Sequence, residues 1–184
     1  MKSSTKALIE YEVGGGTSLK SFIIDFIAPN SLSFQRLLRT IESFENHSGI
    51  KYKIIDMLFR RASCITGITI PPHVCDRGLT LYHYGSIVVN EATRIGKNCC
   101  IMNNVNIGAN GGSDKAPIIG DDVYIGPGAV IYGDISIADG CYIGANAVVN
   151  KSILEPHSVV VGVPAKVIKT DNVVWWKKNR LNRE

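Results

Sequence analysis

The sequence predicts a mainly β protein: a parallel β-helix wound from six-residue repeats, preceded by a small N-terminal helical region. Three observations carry that prediction. Aliphatic residues recur on one six-residue register through the C-terminal half. Glycine or another small residue often follows them, and the first third of the chain shows helical spacing instead.

The 184 residues suit one domain with a modest appendage. With 45% hydrophobic and 20% charged residues the composition is that of a globular protein, not a disordered or fibrous one. Aromatics are sparse while Gly, Val and Ile are plentiful, which favours short strands and tight turns. The net charge of +4 is mild, and no nucleic-acid partner is expected. Five cysteines form an odd set with no C-x-x-C pair, against a disulfide or zinc framework and for a reducing compartment. No signal peptide is expected from residues 1–5, and the apolar stretch Phe22 to Pro29 is too short to span a bilayer and contains Asp25. A cytoplasmic protein is the expectation.

Residues 1–16 are polar and end in Gly14-Gly15-Gly16, the composition of a flexible lead-in. Behind Ser33, an expected N-cap, Phe34, Leu37, Leu38, Ile41 and Phe44 have helical spacing. Ile54, Ile55, Leu58 and Phe59 suggest a second helix ending near Arg61. The chain therefore divides into a helical region over 1–63, a β-helix over 64–170 and a basic tail over 171–184. In the tail, Trp175 and Trp176 stand beside Lys177, Lys178 and Arg180, a composition suited to peripheral membrane contact at the inner face or to packing against a neighbouring subunit.

From Val89 the register runs through Ile95, Ile101, Ile107, Ile119, Ile125, Ile131, Ile137, Ile143, Val149, Val161 and Val167, missing only at Ser113 and Glu155. A second register four residues later carries small or aliphatic side chains, among them Thr93, Cys99, Val105, Val123, Ala129, Ile135, Cys141, Ala147, Ile153, Val159 and Ala165. A short strand and a turn account for six residues, and three such units make a triangular coil of about 18. Stacked coils place the aliphatic side chains in internal ladders, and no coil buries its apolar face without neighbours. Residues 109–117 break the period and are expected to loop out, a natural place for function.

The four histidines do not pair at metal-ligand spacing, so no metal site is expected. No nucleotide loop or G-x-S-x-G elbow occurs, and Gly126-Pro127-Gly128 reads as a turn of the repeat. His83, in Leu81-Tyr82-His83-Tyr84-Gly85-Ser86, falls on the register that is aliphatic elsewhere, as if an imidazole replaced a ladder residue. A histidine between two tyrosines has both a structural and a catalytic reading.

Several stretches bear on that choice: His83 to Glu91, Ile107-Gly108, Pro117 to Gly120, Ile125 to Asp134 and Glu155 to Lys166. Over roughly 66–169 the chain resembles the serine acetyltransferase branch of the hexapeptide-repeat acyltransferases, nearest the members in surface-polysaccharide gene sets. The resemblance implies a left-handed β-helix, a homotrimer, and acetyl-CoA as co-substrate in a groove between subunits. It implies His83 as general base, removing the proton of an attacking hydroxyl. It also implies Gly108, Ala109, Pro127 and Ala145 beside the pantetheine arm and Lys166 beside phosphate, with Gly108 a candidate oxyanion donor. Small residues at turns are equally what the coil itself requires.

The resemblance has gaps. Its family pattern has Asp before the histidine, where this chain has Tyr82, and a second Asp where it has Thr69. Lys115-Ala116-Pro117 replaces Arg-His-Pro, while Glu91 matches an acidic position. Missing groups for an ammonium argue against L-serine, and Tyr82 and Tyr84 suit packing on a sugar ring. The expectation is thus acetyl transfer to a hydroxyl of a sugar or polysaccharide precursor, with Tyr82, Tyr84 and Glu91 at the acceptor. The alternatives are acetylation of serine or another small molecule, and a non-catalytic β-helix scaffold.

Overall fold

The computed structural model describes residues 6–7, 9–10, 12, 19–45 and 47–170. The basic tail, with its tryptophans, lies outside the described residues.

Helices α1 (Leu19–Ile27), α2 (Ser31–Glu42) and α3 (Ile50–Thr66) precede the strands. Helix α2 starts one turn earlier than its apolar spacing suggests. Its N-cap is Asn30, not Ser33, and Asn30 Oδ1 accepts from the Leu32 and Ser33 amides at 3.0 Å each. Helix α3 continues past Arg61 to Thr66 and is stopped by Gly67 in the left-handed region (φ 72°), whose N–H donates to the Ser63 carbonyl. The lead-in expected to be flexible contains helical residues at 6, 7, 9, 10 and 12. Ile9 is fully buried there and Glu12 is ion-paired, so burial and a buried charge overrule the polar composition.

Fourteen short strands follow: β1 (Ile68–Thr69), β2 (Thr80–Leu81), β3 (Ile87–Val89), β4 (Arg94–Ile95), β5 (Cys100–Ile101), β6 (Asn106–Gly108), β7 (Ile118–Ile119), β8 (Tyr124–Ile125), β9 (Val130–Tyr132), β10 (Ser136–Ile137), β11 (Tyr142–Ile143), β12 (Val148–Val149), β13 (Ser158–Val161) and β14 (Lys166–Thr170). They form three sheets, ordered β1-β3-β6-β9-β12, β10-β7-β4 and β14-β13-β11-β8-β5-β2. All pairings are parallel except β13 with β14. We call these the first, second and third faces of a triangular prism. The chain visits them cyclically, so each strand pairs with its counterpart one coil away.

The internal ladders form as the period requires. Ile101, Ile107, Ile125, Ile131 and Ile143 are wholly buried, and the second register supplies Cys99, Val123, Ala129 and Ala147, also buried. The first coil departs from the period. Leu81 pairs with Ile101 and Val89 with Ile107, so the corner between them holds two more residues than its counterpart in the next coil. Leu81, 2% exposed, fills the ladder position, and the extra length pushes His83 out to solvent. His83 therefore replaces no ladder residue. The last coil departs as well. The step from Val149 to Ile153 is two residues shorter than its counterpart and the next, to Val160, one residue longer, so Ile153 pairs with Ile137 and Val160 with Ile143. Val160 is then buried, whereas Val161, Val159 and Val167 are not, which corrects the register expected beyond Glu155.

The open N-terminal end of the prism is capped by the helices: Phe34 and Leu38 of α2 and Phe59 of α3 join the same core as Ile68, Ile70 and Leu81. Because the core is continuous from cap to last coil, a cavity in its middle is felt throughout. Ile131→Ala is expected to destabilise the fold by about 2–5 kcal/mol, read as a lowered midpoint in urea unfolding at unchanged slope.

Candidate active site

Each corner of the prism needs a turn residue, and the corners stack. Between the third and first faces lie Tyr82 to Ser86, then Met102 to Asn104, Gly126 to Gly128 and Gly144 to Asn146. His83 sits on the first coil of this edge. Pro127 and Ala145 lie on the same edge two and three coils on, stacked through the Asn146 amide on the Pro127 carbonyl at 2.9 Å. At about 4.8 Å per coil they run roughly 10 and 14 Å along from His83. Lys166 begins β14 beside Val161, at the last coil.

Gly108, Ala109 and Glu91 are elsewhere. Gly108 ends β6 and leads into the 109–117 loop, and Glu91 follows β3, both on the edge between the first and second faces. The first face thus separates them from His83 within one chain. Gly108 differs from most repeat glycines. A Cβ on Gly126 would meet backbone atoms at 2.8 Å, so packing dictates that glycine. A Cβ on Gly108 would meet nothing closer than Asn106 Oδ1 at 3.6 Å, so the coil does not demand glycine there.

His83, Tyr82 and Tyr84 come together at one wall of a cleft of about 380 Å³. All three are exposed, and Thr80 and Leu81 continue that wall. The opposite wall is α2, through Asn30, Ser31, Leu32 and Gln35, with Glu12 also lining it. Among the described residues, no hydrogen bond to the His83 imidazole is found. Nothing in the sequence linked Glu12 and Gln35 to His83, since they lie 71 and 48 positions away and carry no motif. The one signal was the helical spacing of α2, which turns Gln35 toward the same side as Leu38.

Electrostatics hold the α2 wall in place. Arg39 donates to Glu12 through Nε (2.8 Å) and a terminal nitrogen (3.1 Å), and to Glu42 at 2.8 Å. It also donates to the Cys75 and Asp76 carbonyls of the first coil, at 2.9 and 2.6 Å. Burial alone would lower the Arg39 pKa, but hydrogen bonding with Glu12 and the charges of Glu42 and Glu12 outweigh it and raise it. Glu12 in turn accepts from the Gly78 amide. On the outer side of the third face, Tyr124 and Tyr142 stack at 4.6 Å with rings 1° from parallel. Burial, then Tyr142, pushes the Tyr124 phenol up to about 12.

Among the described residues, no group of three or more His, Cys, Asp or Glu side chains is placed to hold a metal ion. No helix among them is long and apolar enough to cross a membrane.

The described residues thus form a stack of hexapeptide coils with an exposed imidazole at a small cleft. Residues 116–151 match the bacterial transferase hexapeptide family, six repeats. The serine acetyltransferase of Buchnera aphidicola is 37% identical over 123 residues, 65% of this chain and 47% of the relative. That of Staphylococcus xylosus is 36% identical over 124 residues, 66% of this chain and 57% of the relative. The chain thus spans about half the length of these relatives. Among solved structures, the Neisseria gonorrhoeae serine acetyltransferase in complex with serine superposes with a TM-score of 0.70 at 26% identity, covering 91% of this chain and 70% of that one. Residues 116–151 thus carry the six-residue repeat of that family, and the β-helix is left-handed.

These likenesses overturn the expected sugar or polysaccharide-precursor acceptor, since the matched proteins are serine acetyltransferases. The physical reason is visible in the cleft. Tyr82 and Tyr84 share their cleft with α2 residues, and its volume is of small-molecule size.

Proposed function

We propose that the chain is an acetyl-CoA-dependent O-acetyltransferase acting on a small hydroxyl compound, with L-serine the first acceptor to test and His83 the general base. The observation that supports it most is the two-residue lengthening of the first corner, which moves His83 out of the ladder and into the mouth of the cleft.

In the reaction His83 removes the acceptor hydroxyl proton as the oxygen attacks the thioester carbonyl. The tetrahedral intermediate collapses with loss of the CoA thiolate, which takes the proton back from His83, leaving an acetyl ester and free CoA. Tyr82 and Tyr84 border the acceptor. Pro127 and Ala145 offer a small-residue track for the pantetheine arm, and Lys166 a cation for phosphate. The Gly108 amide, across the first face from His83, would serve a neighbouring copy's site as oxyanion donor. Glu91 lies on that same edge and would act there too. That split supports a homotrimer with its grooves between subunits. The five unpaired cysteines fit a reducing compartment, and a cytoplasmic enzyme is part of the reading.

The test is thiol release from acetyl-CoA with L-serine as acceptor, and identification of the product by mass. Turnover dependent on L-serine is expected. Absence of any turnover with L-serine at millimolar concentration would overturn the reading.

A further inference from the structure

Helix α1 is built inside out. Its one carboxylate, Asp25, is 4% exposed and accepts from Ser33 Oγ at 2.7 Å and from Arg36 at 2.6 Å. Ile23, Ile24, Phe26 and Ile27 are exposed instead, Ile27 to 70%. The ion pair fixes that orientation, because turning the isoleucines inward would strand Asp25 or Arg36. Helix α3 carries a second apolar face. Ile50, Ile54, Met57 and Ile65 share one side at helical spacing, and all are exposed. Arg61, in line with Met57 and Ile65 one turn either way, lies 4.6 Å over the Phe26 ring and joins the two faces. An exposed apolar area spread over two helices marks a contact surface.

The charge at its rim says what it meets. Lys20 lies one turn before Ile24, and Lys51 and Lys53 flank the α3 stripe on opposite sides. All three are exposed, and none pairs with a carboxylate among the described residues. The two helices hold only two carboxylates, and both are engaged, Asp25 by Arg36 and Asp56 by Arg60. An apolar face with a cationic rim and no free carboxylate is complementary to an anionic surface. A second copy fits poorly, since the two-fold contact that apposes the face to itself also apposes its lysines. Outward isoleucines beside lysines are the pattern of helices that lie in a headgroup layer, with apolar groups among acyl chains and ammonium groups at phosphates. No described helix is long and apolar enough to cross a membrane, so the contact is with one leaflet.

We propose that the outward face of α1 and α3 docks on an anionic lipid leaflet, with Ile27, Ile54 and Met57 inserted and Lys20, Lys51 and Lys53 at the phosphates. The docking holds whichever hydroxyl compound the cleft takes.

The test is flotation of the full chain with vesicles of phosphatidylcholine, alone or with about 30 mol% phosphatidylglycerol, at low and at roughly 0.5 M salt. Binding to the anionic vesicles is expected to be at least about tenfold tighter than to the neutral ones, and to weaken at high salt. Ile27→Gln with Ile54→Gln should weaken it at least about tenfold at unchanged Tm, because both side chains are exposed. Lys51→Glu with Lys53→Glu should erase the difference between the two vesicles. Trp175→Ser with Trp176→Ser controls for the basic tail and should keep most of the binding. No binding by the parent, equal binding to both vesicles, or loss in the tail variant alone overturns the proposal. So does an assembly that Ile27→Gln with Ile54→Gln splits to half its mass without any vesicle binding, which gives the face to a second copy. If that pair does not fold, Lys51→Glu with Lys53→Glu decides.

Discussion

His83→Ala is expected to lower kcat at least about a hundredfold while acetyl-CoA binds within about twofold of the parent. The variant should fold normally, because His83 is exposed and Leu81, not His83, holds the ladder. Steady-state kinetics give the first quantity, and titration calorimetry with acetyl-CoA or CoA gives the second. Loss of kcat with binding intact is what removal of a general base predicts. Undiminished turnover would move the chemistry to another group. A parallel drop in kcat and in coenzyme affinity would mean that His83 shapes the groove instead.

Arg39→Met is expected to destabilise the protein by about 3–5 kcal/mol, measured by urea unfolding. The loss is large because the guanidinium is the shared partner of Glu12, Glu42 and the Cys75 and Asp76 carbonyls. Removing it strands two carboxylates, one of them fully shielded from solvent. Arg39→Lys should recover only part of the loss, since an ammonium cannot present the planar fork that reaches both carboxylates and both carbonyls. As Arg39 fastens α2 to the first coil, KM for the acceptor should rise with the loss of stability. A cost below about 1 kcal/mol would show that apolar packing of Phe34, Leu38 and Phe59 alone holds the cap.

The ladder residues from Val89 to Val149 could be read directly from the chain, because burial on a three-sided coil repeats with the same period as the sequence. The reading slipped only where coil length changes, at the first corner and after Val149. A fixed register cannot register an insertion of two residues in a turn. It therefore put His83 in a ladder and Val161 in the core, when neighbouring strands select Leu81 and Val160. The helices were legible from Phe34, Leu37 and Leu38, but Asn30 took the cap from Ser33 because its side chain reaches two backbone amides. The acceptor was misjudged for a related reason: the residues around His83 in sequence are only half of the cleft.

By itself the sequence determined the six-residue period, and with it the coil, its core and the stack of small residues along each corner. Local side-chain size and turn chemistry set these, and both are written residue by residue. Tertiary structure decided everything that depends on which elements meet. It lifted His83 out of the ladder, laid α2 across β2 to close a small cleft, and buried Arg39 between two carboxylates and the first coil. Pairing between distant segments is fixed by the cost of leaving apolar surface and buried charge uncovered, a cost no local pattern records.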